Sequence, residues 1–326
     1  MEDHAGLTRR AVLAGGATAS TVPAALAAIS VPAEADIPLW PETLVARERV
    51  RAPIPIDPNL PVHFHQVVNV TRPVITPYRP ATPNGAAIIT CPGGSYLLVG
   101  RSPGPPQWLA AQGYWVFDLL YRLPGGGWRA GADASLQDVL QAIRIVRARA
   151  TALDIDPSRI GVAGFSAGGH VAASAATRFA EDLDPPSREL AALPARPAFA
   201  LLACPVVTMR EPYRHGPSAR ALFGALPGEA QVASHSAELR VTAHTPPCFL
   251  AHAADDRVVP PQNSMLMFDA LRAAGVSAEL HIFDRGGHDM GQGFKSGSPV
   301  SAYPHLFTQW LSRNGFAASA INAPRR

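Results

Sequence analysis

The chain has 326 residues, 47% hydrophobic and 16% charged, which is ample for one large α/β domain or two small ones with a sizeable core. Its 28 basic residues outweigh its 25 acidic ones by a net of only +3, and they are scattered without an aromatic-interleaved stripe, which argues against nucleic acid as a partner. No P-loop, dinucleotide-binding G-x-G-x-x-G, H-E-x-x-H or paired C-x-x-C occurs, so neither a cofactor nor a metal is signalled.

Residues 1–35 read as an export signal of the twin-arginine type. Arg9 and Arg10 precede a mildly apolar run rich in Ala, Gly and Thr, with small-residue cleavage patterns ending at Ala27 and Ala35. The run is too short and too polar for a stable membrane span. A periplasmic or extracellular location is expected, with one domain over residues 36–326. Cys91, Cys204 and Cys248 are odd in number and fall on apolar strands, so three reduced, buried thiols are expected rather than a disulfide framework.

The mature region begins with an alternating run, Val62–Val70, on which His63 and His65 face one side. A surface or packing role suits that pair better than metal binding. Pro73–Tyr78 reads as an edge-like strand because of its prolines. Gly85–Cys91 is an apolar strand leading into Pro92-Gly93-Gly94-Ser95-Tyr96. A helix follows, ending at Gly113, and then a buried strand from Tyr114 to Leu120. Leu136, Val139, Leu140, Ile143 and Val146 recur at helical spacing. Arg159–Ala163 reads as another strand, and small residues after Ser166 favour a helix. Pro197–Ala203, Cys248–Ala253 and Ala278–Phe283 complete the strands. Helices are expected over 263–274 and 304–313. Strands alternating with helices predict an α/β fold with a mostly parallel sheet covered on both faces and antiparallel at its start. Residues 205–247 interrupt the rhythm with short helical pieces. They read equally as a cap-like insertion over a pocket and as a surface excursion.

The most informative motif is Gly164-Phe165-Ser166-Ala167-Gly168, placed where a strand turns into a helix. Small residues around the serine permit a tight, strained turn that exposes its hydroxyl, the arrangement of a nucleophile elbow. A serine hydroxyl needs a base, and the base needs an orienting carboxylate, in the chain order serine, acid, histidine. Asp255 and Asp256 follow the strand at 248–253, where a carboxylate faces the ligand crevice. His288 follows the last strand on a Gly286-Gly287 loop that allows it to swing toward Ser166. His281 lies within that strand, and His170 lies on the helix after the elbow with no proton-transfer role. Backbone N–H groups of Gly94, Ser95 and Ala167 are the candidate oxyanion hole.

The chain resembles the α/β-hydrolase superfamily, in the branch of hormone-sensitive lipase and bacterial acetyl xylan esterases. The matching pieces are Cys91-Pro92-Gly93-Gly94, Tyr121-Arg122-Leu123-Pro124, Gly164–His170, Asp256–Pro260 and Gly286-Gly287-His288. The resemblance implies a catalytic serine, acid and histidine at Ser166, Asp256 and His288. Asp256, four residues before Pro260, has the spacing of the family's acid, which leaves Asp255 to cap the loop through its own backbone. Pro92 replaces the histidine common before the glycines, and Ser95 replaces a third glycine. The expected activity is hydrolysis of short-chain carboxylic esters through an acyl-enzyme. The family likeness extends the expected substrates to acetylated carbohydrates such as acetyl xylan. A prolyl-oligopeptidase-like peptidase and a catalytically dead binding protein are the alternatives.

Overall fold

The computed structural model describes residues 35–52, 66–224, 227–292 and 297–317. Residues 1–34 of the expected export signal, His63 and His65 lie outside the described residues. All described residues belong to one compact unit, Ala33–Arg326.

The elements in chain order are β1 (Ile37–Pro38), α1 (Glu42–Glu48), β2 (Gln66–Val67), β3 (Val74–Tyr78), β4 (Ala87–Cys91), β5 (Val99–Gly100), α2 (Gly104–Ala111), β6 (Trp115–Leu120) and α3 (Ala134–Ala148). There follow β7 (Ile160–Phe165), α4 (Ala167–Arg178), β8 (Ala200–Ala203), α5 (Gly216–Phe223), α6 (Glu229–His235), β9 (Cys248–Ala253), α7 (Gln262–Ala273), β10 (Ala278–Phe283) and α8 (Tyr303–Arg313). Eight strands form one sheet in the order β1-β3-β6-β4-β7-β8-β9-β10, and β2 pairs separately with β5. From β6 to β10 all pairings are parallel, while β3 runs antiparallel to both β6 and β1.

Two sequence expectations change. The Val74–Tyr78 strand is not outermost, because β1 pairs with it at Val74 and Ile75. That pairing is two residues long, so Pro77 lies beyond it and its missing N–H costs no bond to β1. The alternating run at 62–70 supplies only the short strand Gln66–Val67 among the described residues.

The side-chain period of two sorts the strands onto two cores. Ala87 and Ile89 of β4 and Phe117 and Leu119 of β6 pack with Val139, Ile143 and Val146 of α3, Val171 and Ala175 of α4, and Met267 of α7. Ile88, Val116 and Phe249 face the opposite way, toward Leu109 of α2 and Phe307 and Trp310 of α8. Asp138 on α3 forms a fully buried pair with Arg122 at 2.9 Å and also accepts from Trp40 Nε1 at 2.7 Å. That hydrogen bond ties the segment before α1 to the core. The insertion between β8 and β9 carries α5 and α6 and is anchored in the first core by Ala219, Leu222 and Ala237.

Parallel strands place their carboxyl ends on one edge of the sheet. The loops that follow β4, β7, β9 and β10 therefore emerge together there, as ligand-binding loops do in such sheets.

Candidate active site

The turn after β7 is as tight as its glycines imply. A Cβ on Gly168 would stand 2.0 Å from the Cys91 carbonyl oxygen, and one on Gly164 would stand 2.2 Å from the Gly168 carbonyl oxygen. Only hydrogen fits at either position. Ser166 itself has φ 55° and ψ −123°, a conformation that L-residues rarely adopt and that costs about 1–3 kcal/mol. The strain lifts its side chain off the path of both strand and helix.

Ser166, His288 and Asp256 come together from three loops. His288 Nε2 lies 2.8 Å from Ser166 Oγ, and His288 Nδ1 lies 2.7 Å from Asp256 Oδ2. An ionised carboxylate only accepts, so Nδ1 carries the proton and Nε2 of the neutral ring is left to accept from the serine hydroxyl. Asp256 is buried, which alone would raise its pKa. Hydrogen bonds from His252, His288 and the Val259 N–H more than offset burial and hold the carboxyl well below its ordinary range. Its other oxygen, Oδ1, accepts from the N–H groups of Val258 and Val259 at 2.9 and 3.0 Å.

Three residues near the site were not given these roles by the sequence. His252, fully buried on β9, points Nε2 at Asp256 Oδ2 (3.2 Å) and at the Val259 carbonyl (3.0 Å). Both are acceptors, so Nε2 carries the proton and Nδ1 accepts from the Ser264 hydroxyl at 2.7 Å. Asp255 does not cap its own loop. Its Oδ1 accepts from the N–H groups of Gly286 and Gly287 at 2.9 and 2.8 Å, which tethers the loop bearing His288. His215, at the start of α5, is buried and hydrogen-bonded through Nδ1 to Ser218 Oγ at 2.8 Å. Burial, and then the nearby His288, lower its pKa to about 4. The strand carrying His252 is buried on both faces, so no alternation singles that residue out, and nothing local marks Asp255 or His215.

The loop after β4 runs against the elbow. A Cβ on Gly93 would stand 2.9 Å from Ser166 Cβ. Gly94, Ser95 and Tyr96 all have positive φ, at 137°, 55° and 62°. The Gly94 carbonyl accepts from the N–H groups of Leu97 and Leu98, and Gly100 N–H donates to Gly93 O at 2.8 Å. Ala167 is the first residue of α4, whose leading N–H groups have no partner within the helix.

Cys91, Cys204 and Cys248 are buried and not disulfide-bonded, and burial pushes the Cys248 thiol up to about 12. Cys204, Asp256 and His288 each offer one potential metal-ligating atom within 4.8 Å of the others. Asp256 and His288 already satisfy each other there. His281 remains on β10, paired with Glu279 at 2.9 Å.

The BD-FAE family model matches residues 87–271, more than half of the chain and the span from β4 through most of α7. The chain belongs to the BD-FAE family. This BD-FAE member is 33% identical over 223 residues to the acetylxylan esterase of Xylanibacter ruminicola, covering 66% of this chain and 43% of that protein. It is 37% identical over 155 residues to the endo-1,4-beta-xylanase B of Butyrivibrio fibrisolvens, covering 48% of this chain and 24% of that protein. The chain thus spans less than half the length of these two curated relatives. Among solved structures, it is similar to the acetyl ester-xyloside bifunctional hydrolase of Caldicellulosiruptor lactoaceticus, with 33% identity, a TM-score of 0.71, and coverage of 89% of this chain and 100% of that one. The carboxylesterase Cest-2923 of Lactobacillus plantarum superposes with a TM-score of 0.64 at 26% identity, covering 76% of this chain and 95% of that one. The BD-FAE chain has the α/β-hydrolase fold.

Proposed function

We propose that this protein is a serine carboxylic ester hydrolase that works through an acyl-enzyme on short acyl esters, with acetylated xylan as the substrate class. The observation that carries the reading is the hydrogen-bond chain Ser166 Oγ, His288 Nε2, His288 Nδ1, Asp256 Oδ2, at 2.8 and 2.7 Å. Similarity to an acetylxylan esterase and to an acetyl ester-xyloside hydrolase supports the choice of acyl group and alcohol.

In this mechanism His288 takes the Ser166 proton as Oγ attacks the ester carbonyl. The resulting oxyanion is held by backbone N–H groups of Gly94, Ser95 and Ala167. Collapse of the tetrahedral intermediate breaks the bond to the alcohol, which leaves with the proton from His288 Nε2. His288 then draws a proton from water as the water attacks the acyl-serine carbonyl, and returns that proton to Ser166 Oγ as the second tetrahedral intermediate collapses and releases the acid. Asp256 keeps the ring in the tautomer that both half-reactions need and stabilises the imidazolium that forms in each.

Wild type and Ser166→Ala, compared on p-nitrophenyl acetate and on acetylated xylan, test the reading. Loss of several orders of magnitude in kcat, together with loss of fluorophosphonate labelling, is expected. Full activity in folded Ser166→Ala overturns it. The substrate class is tested on an ester panel from acetyl to octanoyl, where the acetyl ester is expected to turn over fastest. The paired Arg9 and Arg10 support export as the setting of this activity. Replacing both with lysine is expected to leave precursor inside the cell, and unchanged export overturns that part.

A further inference from the structure

We propose that Tyr96 and His170 form a clamp that sets the oxyanion-binding amides, with the Tyr96 hydroxyl donating to His170 Nδ1 so that the helix carrying the nucleophile holds the loop carrying the N–H donors. The inference rests on the serine-hydrolase reading above and assigns His170 as a positioning residue, one that acts through Tyr96 and touches no reacting atom.

The loop needs such a hold. Ser95 and Tyr96 are consecutive non-glycine residues at positive φ, a conformation kept only where the surroundings over-determine it. The Tyr96 side chain is buried, its hydroxyl lies 2.7 Å from His170 Nδ1, and its ring meets His170 and Tyr121 edge-on, at centroid distances of 5.8 and 6.3 Å. Tyr121 in turn donates to the Pro92 carbonyl at 2.7 Å, so the loop is gripped on both sides of Gly93 and Gly94.

The direction of the Tyr96 bond is fixed from the far side of the imidazole. His170 Nε2 lies 2.6 Å from the His235 carbonyl, which only accepts, so Nε2 carries the proton. Burial keeps the ring neutral, leaving a lone pair on Nδ1 for the tyrosine hydroxyl. His170 stands four residues after Ser166, one helical turn along α4. His235 closes α6 of the insertion. One imidazole therefore joins three parts: the nucleophile helix, the oxyanion loop and the insertion.

Tyr96→Phe removes the hydroxyl and keeps the ring. A misplaced oxyanion donor costs transition-state binding and not substrate binding, so kcat is expected to fall about tenfold or more with KM within about twofold. Inhibition by a trifluoromethyl ketone, which forms a tetrahedral adduct on the serine, is expected to weaken by the same factor as kcat/KM. His170→Asn offers Oδ1 near the place of Nδ1 and is expected to retain kcat within about threefold, whereas His170→Leu is expected to match Tyr96→Phe. If folded Tyr96→Phe keeps wild-type kcat and adduct affinity, or if His170→Asn is no better than His170→Leu, the clamp is refuted. A wild-type protein that a fluorophosphonate fails to label would instead refute the hydrolase reading itself.

Discussion

His252 places its Nε2 3.2 Å from Asp256 Oδ2, the same oxygen that His288 Nδ1 reaches at 2.7 Å. With the N–H groups of Val258 and Val259 on Oδ1, each carboxylate oxygen has two donors. A group whose folded pKa is depressed adds stability above its unfolded pKa, near 4 for aspartate, and loses it as pH falls toward the folded value. His252→Leu removes one donor and so raises the folded pKa. The variant is expected to be less stable than wild type at pH 7, with the gap narrowing below about pH 4. Denaturant titrations at both pH values measure this, and an equal gap at each would contradict it. Turnover is expected to fall about tenfold, because the ring of His288 is then steered by a less firmly held carboxylate.

Asp255 acts on the opposite end of the same assembly. It is exposed, yet its Oδ1 receives both glycine N–H groups that immediately precede His288. Asp255→Ala is expected to lower kcat about tenfold while costing only about 1 kcal/mol of stability, since water can satisfy the freed amides. Asp255→Asn keeps an acceptor in place and should stay close to wild type in a steady-state assay. Equal losses in the two variants would show that charge, rather than the tether, is what matters.

The legible part of this site is the part carried by local chemistry. Gly164-Phe165-Ser166-Ala167-Gly168 announces its turn because the turn forbids side chains at two fixed positions. The apolar runs of β4, β7, β8 and β9 mark strands buried on both faces, and they are parallel neighbours in the sheet. The contacts of Asp255 with Gly286 and Gly287, and of Tyr96 with His170, were not legible. They join residues far apart in the chain, and neither partner breaks a local pattern. The ordering of β3 was misread for the opposite reason. Its prolines point correctly to an incompletely paired strand, but Ile37–Pro38 is too short to register as a strand by periodicity.

Gly168 tests the elbow's packing directly. A methyl group there would sit 2.0 Å from Cys91 O and 2.3 Å from Pro92 O, both backbone atoms with no side-chain freedom to yield. Gly168→Ala is therefore expected to destabilise the fold by more than about 3 kcal/mol, beyond the ordinary cost of overpacking. Gly287→Ala is the control, because no neighbour lies within 4 Å of its added carbon, though its φ of 56° still carries strain. Melting temperatures of the two variants measure the difference. Comparable Tm values would mean that the turn relaxes where the close contacts say it cannot.

Acid stability gives a last check on the buried imidazoles. Burial lowers the pKa of His170 to about 3, with the His235 carbonyl and Asp133 favouring the charged ring, His235 and Arg178 opposing it, and Tyr96 capping Nδ1. An unfolded histidine titrates near 6.5, so between about pH 6.5 and 3 the unfolded chain binds a proton that the folded chain refuses. Stability contributed by keeping this ring neutral is complete above pH 6.5 and is lost on acidification, by up to about 1.4 kcal/mol per pH unit. His170→Asn cannot titrate, so its stability should fall less steeply from pH 6.5 to 4. His215, lowered to about 4 for the same first reason, keeps part of the slope in the variant. Urea unfolding at pH 7, 6 and 5 separates the two proteins, and identical pH dependence would mean that His170 takes up its proton without unfolding.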